Sequence, residues 1–542
     1  MALGQRIRQW PFLMDSHMVM LLLVLATTIG AFSPALFSGF ELNDEHLNMR
    51  LASGGQIHSQ VPVRPSLWAM TKADVLGLGR VAPVGEALRY LTSVLIGPRP
   101  ALLRGVILGY AIGTALLLYW AASRVFGSHL VGGLFAVWIM QSPEPGPAEV
   151  WIHLVRGEHL GMLLLAASVF CTVCAASHPR VGLLDWAAFA CFVASSLCKE
   201  TFILVGPALL YMRWYLAPRP NGESRRHMPA GLLPVLLAYG LWVVLVLSLC
   251  FFVACTRVGS HGARSLQATA GTVLTAFLGP GGMVRGVGRQ SVWFIPVIGF
   301  AIWQLLSRQK GYGYRYPLTH LLVFMFLWVA PQVAIYATRG QMEGRYWLPM
   351  LVGLCVPSAL ALRALTQENA DRWVQIAVGA LMLFWLSRCL QINFASSVNF
   401  SNRTHAIARL ARSVAASVPP SGTVVIVAPP KTEHAYSLLC HFGFQGRPDV
   451  KGYLFQPQGS DGYVSVFRGF DDPCQLRPDD VDGVVFLLPP GKAKLADQPW
   501  YDPSRFRRSS VLEPQFFLSL RRLRWMTYQY GFEIDIPHGS GS

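Results

Sequence analysis

Charge is scarce in this chain: Asp, Glu, Lys and Arg together make up 13% of its 542 residues. A soluble chain of that length needs far more polar surface, so a water-soluble globular fold is excluded. Phosphate-cradling and hydrolase motifs are also missing. No Gly-rich loop precedes a lysine, and neither H-E-x-x-H nor G-x-S-x-G occurs, which removes support for nucleotide hydrolysis and serine-hydrolase chemistry. The ten cysteines show no metal-binding spacing. Cys171 and Cys174 form a C-x-x-C inside an apolar helical stretch, where core packing is the expected role, and Cys440 and Cys474 fall in a polar C-terminal region where pairing stays open. No internal repeat and no low-complexity tract is found.

What is abundant is apolar sequence. Hydrophobic residues make up 53% of the chain and mean hydropathy is +0.41. Apolar runs of roughly 18 to 22 residues recur through most of the first 390 positions, the length a hydrocarbon layer requires of a helix. The spans expected are 17–38, 103–122, 128–141, 158–177, 183–198, 201–217, 231–254, 291–306, 318–337, 346–364 and 373–393. The fold class is therefore a polytopic α-helical membrane protein of about 11 transmembrane helices. Arg6 and Arg8 precede a first run too long for a cleaved signal peptide, so it is expected to be retained.

The net charge is +17 and the pI about 9.7. The basic residues sit in short loops between apolar runs, which marks topology and contact with anionic lipid or phosphate, and no nucleic-acid partner is expected. Arg6, Arg8, Arg124, Arg180, the cluster Arg213 to Arg226, Arg308, Lys310, Arg315, Arg363 and Arg372 fall on one side. That side is expected to be cytoplasmic, in a bacterial inner membrane. The opposite, periplasmic side then holds segments 39–102, 142–157, 255–290 and 338–345, and everything after about residue 394. Residues 82–96 and 264–280 are expected to lie as interfacial helices. From about Ser401 the composition shifts. A helical stretch at Thr404–Val418 is followed by β-branched runs at Thr423–Ala428, Tyr463–Phe467 and Val484–Leu488, expected as strands of a small periplasmic α/β domain over 394–542 after a catalytic membrane domain over 1–393.

The candidate chemical residues lie at one end of these spans. Asp44 and Glu45 follow the first span; adjacent carboxylates there serve either as a solvated loop end or as a general base with an orienting neighbour. Glu158, in Arg156-Gly157-Glu158-His159, opens the fourth span, where a helix-capping carboxylate is the competing reading. Glu149 and His153 are weaker candidates of the same loop. Lys199, beside Glu200, interrupts the apolar stretch 183–217; it either snorkels to the interface or binds a lipid phosphate. Arg339, Arg345 and Tyr346 belong to the turn 338–345 and the entry to the next span, suited either to gripping phosphate or to interfacial anchoring.

In this order and topology the first 390 residues resemble the GT-C class of membrane glycosyltransferases, and most of all the branch of protein O-mannosyltransferases and lipid A aminoarabinose transferases. The resemblance rests on Asp44-Glu45, Arg156-x-Glu158, Lys199 in Leu-Cys-Lys-Glu-Thr, and Arg345-Tyr346-Trp-Leu-Pro. It implies an inverting glycosyltransferase that takes sugar from a polyprenyl-phosphate-linked donor on the periplasmic face. Asp44 would be the base, contributing about 10²–10⁴-fold, Glu45 would orient the acceptor, and Glu158 would help place the acceptor or a metal. Lys199, Arg345, Tyr346 and Arg339 would bind the departing phosphate. Membrane lipids and an envelope glycan, lipid or protein acceptor complete the implied partners. Segment 255–290 lacks the acidic residue that metal-dependent oligosaccharyltransferases use, so no metal or other cofactor is assigned. Two alternatives stand beside this reading: a polymerase or ligase of O-antigen or other lipid-linked glycans, and a transporter of lipid-linked glycans. Charges gathered at one face rather than the midplane, and the lack of a repeat, disfavour transport.

Overall fold

The computed structural model describes residues 16–42, 45–78, 81–142, 147–153, 157–217, 231–255, 318–337, 347–366, 372–428, 433–456, 470, 473–487, 495, 498–519 and 524–538. Its helices are α1 His17–Phe32, α2 His46–Ala52, α3 Leu67–Ala73, α4 Pro83–Ile96, α5 Pro100–Phe126, α6 His129–Gln141, α7 Pro147–Ile152 and α8 Gly157–Ala175. They continue with α9 Leu183–Cys198, α10 Gly206–Leu216, α11 Leu232–Cys255, α12 Leu318–Ala337, α13 Trp347–Leu354, α14 Val356–Leu365 and α15 Arg372–Ser417. The C-terminal part adds β1 Thr423–Val427, α16 Glu433–Phe444, β2 Lys451–Phe455, β3 Gly483–Phe486, β4 Phe506–Ser519 and β5 Arg524–Pro537.

Two compact units form. The first gathers Met1–Phe32, Trp68–Leu88 and Val106–Asn393; the second gathers Ser33–Leu67, Arg89–Gly105 and Phe394–Ser542. Most of segment 39–102 thus clusters with the C-terminal region rather than with the long helices.

In the first unit the expected spans are helices wherever they fall on described residues; the span at 291–306 and the interfacial segment 264–280 lie outside them. Among the described residues, four helices are long and apolar enough to cross a membrane: His17–Phe37, Pro100–Phe126, Gly157–Ala175 and Leu232–Leu249. Only 22% of the Leu232–Leu249 window is buried inside the protein, and Leu233, Leu237, Leu241, Val244 and Leu245 point outward from it. An apolar face of that size suits a lipid environment. Close crossings use small residues and hydroxyls, as in membrane bundles. Ser168 Oγ donates to Ala188 O at 2.8 Å, and Ser195 Oγ donates to Gly161 O at 2.7 Å, tying α8 to α9 at two levels. At the far end of the same pair Asp185 and Arg213 form a buried ion pair at 2.6 Å, and Arg213 also donates to His178 O.

In the second unit the sheet order is β2-β1-β3-β5-β4, with β1 parallel to both β2 and β3 and with β4 and β5 a 14-residue antiparallel hairpin. The unbroken apolar run Val424–Val427 is buried on both faces, as a central parallel strand requires. Val425, Val427, Val484, Phe486, Trp500 and Phe506 build the core beside it. The expected strands at Thr423–Ala428 and Val484–Leu488 correspond to β1 and β3; Tyr463–Phe467 lies outside the described residues. The expected helix at Thr404–Val418 is the end of one 46-residue helix, α15, because no proline interrupts Arg372–Ser417. Cys440 is a free thiol, and burial pushes its pKa up to about 12; the side chain of Cys474 lies outside the described residues.

Segment 39–67 fastens to the sheet and to α16 within this unit. Gln60 completes the open edge of β2 by donating to Gly452 O at 2.9 Å and accepting from Gly452 N at 2.6 Å. Phe40 stacks on Phe444 with ring centroids 5.6 Å apart. Gly443 faces Ile57 O so closely that an added Cβ would sit 1.9 Å from it.

Candidate functional site

Glu158 and Lys199 are brought together in the first unit. The Lys199 ammonium donates to Glu158 Oε1 across 41 residues of sequence, with the two side chains 11% and 12% exposed. The elements on either side explain the meeting. Lys199 is the residue at which α9 stops: its backbone is extended (φ −161°, ψ 127°), and a 3-10 helix, Glu200–Val205, begins immediately after it. Its side chain is therefore released from the helix surface and reaches across to the first turn of α8, where Glu158 sits. Gly157 makes the approach possible. A Cβ there would lie 2.1 Å from Cys198 O, so only glycine lets the α8 terminus touch the end of α9. Gly85 of α4 meets the same carbonyl, with an added Cβ at 2.8 Å. Three backbones converge at this point.

The next residue of α8 ties this helix to α7. His159, fully buried, hydrogen-bonds through Nε2 to Val150 O and packs against Trp151 at 5.7 Å. Glu158 and His159 thus face different tasks, one toward Lys199 and one toward α7. Glu158 keeps its place in the first turn of α8, and beyond that each side chain is largely enclosed and directed at the other. An enclosed carboxylate–ammonium pair is charge-balanced at rest and offers an anion a preformed cationic partner at the moment the carboxylate is displaced.

Glu45 lies in the second unit, and the structure gives it a different neighbour from any the sequence suggested. Its carboxylate accepts from Arg104 Nη2, 3.3 Å from both oxygens, and from Glu41 N–H at 2.6 Å; both partners of the ion pair are 2% exposed. Glu41 and Glu45 bring their carboxylates within 4.8 Å of each other. Arg104 and, at 3.9 Å from Glu41 Oε1, Arg403 supply the positive charge this acidic pair requires. Arg104 is the residue that sequence reasoning missed; a lone arginine in the first turns of an apolar helix looks like interfacial anchoring. Asp44, Arg156, Arg339, Arg345 and Tyr346 lie outside the described residues.

No family model matches this sequence, and neither does any curated protein. Among solved structures, ArnT from Cupriavidus metallidurans in the apo state is similar over 95% of this chain and 97% of its own, at 12% identity and a TM-score of 0.47. The archaeal oligosaccharyltransferase AglB from Archaeoglobus fulgidus, in complex with an inhibitory peptide and a dolichol-phosphate, is similar over 87% of this chain and 69% of its own, at 11% identity and a TM-score of 0.43. The apo form of the Archaeoglobus fulgidus oligosaccharyltransferase covers 88% and 69%, at 12% identity and a TM-score of 0.44.

Proposed function

We propose that the protein is a membrane glycosyltransferase that moves a sugar from a polyprenyl-phosphate-linked donor to an acceptor on the periplasmic face of the inner membrane. The observation that carries the reading is the Glu158–Lys199 pair: a cation held at a break between helices, next to the start of a membrane-length helix, with a carboxylate as its resting partner. A lipid phosphate at the membrane boundary is an anion of the right kind to take the carboxylate's place.

In this reading the reaction is a single displacement. Asp44 removes the proton from the acceptor hydroxyl or amine as that atom forms its bond to the anomeric carbon. The bond from that carbon to the phosphate oxygen breaks, and polyprenyl phosphate leaves with the electron pair. Configuration is inverted. Lys199, joined by Arg339, Arg345 and Tyr346, stabilises the phosphate charge that grows as the bond breaks, and stabilisation of this kind is usually the largest single contribution to such catalysis. Glu158, released from Lys199 when the phosphate arrives, is then free to help place the acceptor. The donor's isoprenoid tail stays in the bilayer, and the second unit, with its sheet, stands on the periplasmic side.

Binding of a polyprenyl phosphate without sugar tests the carrying observation. Purified full-length protein is expected to bind it, and Lys199→Met is expected to weaken binding tenfold or more, about 1.4 kcal/mol or above. Equal binding by Lys199→Met removes this lysine from the phosphate site and favours a polymerase or ligase that relies on arginines.

A further inference from the structure

The helical unit holds an apolar cavity of about 110 Å³ at the end remote from Glu158 and Lys199. Its walls come from α5, α6, α8, α10, α12, α13 and α14. Val173 of the wall lies about 22 Å along α8 from Glu158, at ~1.5 Å per residue. Trp328, fully buried, sits on the deep side. Its Nε1 donates to Pro349 O at 2.8 Å, and a Cβ added at Gly353 would lie 2.7 Å from its ring. Polar atoms gather where the helices end. Tyr211 OH shares a hydrogen bond with His320 Nδ1, and Tyr215 lies against the same imidazole with centroids 4.7 Å apart; all three residues are half-buried. Basic residues stand at this end too. Arg124 is exposed, two residues before Phe126 of the wall, and Arg363 Nη2 comes within 3.9 Å of where a Gly127 Cβ would be. Asp185, at the same end of the unit, is already matched by buried Arg213.

We propose that this cavity binds one acyl chain of an anionic phospholipid, whose phosphate rests beside Arg124 and Arg363. The space suits a stretch of hydrocarbon, being of the order of the ~150 Å³ apolar cavity that admits benzene. Its deep wall, with Val169, Phe324 and Trp328, offers a sugar no hydrogen-bond partner. Water does not fill an apolar space of this kind. Left open, it forfeits packing contacts on every side chain that lines it. Hydrocarbon is the medium at hand, because α5 and α8 are both of membrane length. The tyrosines and His320 at the helix ends then meet the glycerol region, where amphipathic rings settle, and the two arginines meet the phosphate. The chain bound here is distinct from the polyprenyl donor, whose phosphate the proposed reaction puts beside Lys199 at the other end of the unit. The site does not depend on that reading.

The test uses full-length protein in detergent and two phospholipids with identical chains, phosphatidylglycerol and phosphatidylcholine. Wild type, Ala122→Phe, Val169→Phe and the double variant Arg124→Gln/Arg363→Gln are compared. Native mass spectrometry reads the lipid retained, and the thermal midpoint is followed as lipid is added. A second arm reconstitutes the protein with phosphatidylglycerol that carries a photoreactive group near the end of one chain, and the labelled peptides are mapped. Wild type is expected to retain phosphatidylglycerol about tenfold over phosphatidylcholine and to melt higher in its presence. The two filling variants are expected to lose both effects. They should also lose labelling at 118–126 while keeping it on the outward face of 232–249. The double arginine variant is expected to hold both lipids alike. Filling variants that retain phosphatidylglycerol and label at 118–126 as wild type does overturn the proposal. So does stabilisation by polyprenyl phosphate that is lost in Ala122→Phe while phosphatidylglycerol has no effect, since the chain bound is then an isoprenoid. If the filling variants do not fold, the photolabel on wild type decides: no label at 118–126 or 320–328 overturns the proposal.

Discussion

At the residue scale the proposed chemistry turns on Glu158 and Lys199. Residue type and position at the ends of apolar runs were enough to mark both as candidates from the sequence. Their pairing was not legible, because it depends on α9 stopping at Lys199 and on a glycine contact between residues far apart in the chain. Removing one partner of an enclosed ion pair leaves the other uncompensated, at about 3–5 kcal/mol for full burial. The thermal midpoint of Lys199→Met in detergent is therefore expected to fall, and the double variant Glu158→Gln/Lys199→Met is expected to recover most of it while remaining inactive in sugar transfer. A double variant that is both stable and active gives the pair a structural role alone. Glu45 teaches the converse lesson. Sequence placed it beside Asp44 as a partner in catalysis, but Arg104, 59 residues away, decides where its carboxylate points.

At the element scale two junctions carry the architecture. The first is the meeting of α4, α8 and the end of α9. Gly157→Ala places a methyl 2.1 Å from Cys198 O, so α8 must withdraw and the Glu158–Lys199 contact must lengthen. Transfer activity should drop at least tenfold, accompanied by a lower thermal midpoint; Gly182→Ala, which meets nothing within 4 Å, serves as the control and should change neither. The second junction fastens segment 33–67 to the sheet. Burial lowers the pKa of His58 and of His441 to about 4 each, so both are neutral in the folded protein. Below the ordinary histidine value of 6.5 the unfolded segment takes up protons that the folded one refuses. Stability is thus complete above pH 6.5 and is lost as the pH falls toward 4, by up to about 3 kcal/mol for each histidine. Hydrogen exchange at pH 7.5 and pH 4.5, corrected for intrinsic rates, should show residues 46–64 and 433–444 opening at the lower pH, and His441→Gln should flatten that difference. Unchanged protection across the two pH values contradicts this account.

Legibility at this scale followed the strength of the pattern. Long apolar runs and the β-branched run of β1 announced themselves. The hairpin β4–β5 did not, because Arg507, Arg508 and Pro514 interrupt any simple alternation; nor did β2, which opens with Lys451-Gly452 and gains its edge partner only from Gln60. The continuity of α15 was hidden by its change from apolar to polar composition, although nothing in Arg372–Ser417 breaks a helix.

At the scale of the whole molecule, the chain combines a helical unit containing membrane-length helices with a sheet-bearing unit that takes in part of segment 39–102. Asp44 belongs by sequence to that segment, and Lys199 to the helical unit. The proposed function is tested most directly by sugar transfer from polyprenyl-phosphate donors, comparing purified wild type with Asp44→Asn while donor binding is followed separately. Wild type is expected to transfer sugar, and Asp44→Asn is expected to bind donor normally but to transfer at least 10²-fold more slowly. A fully active Asp44→Asn enzyme would contradict it.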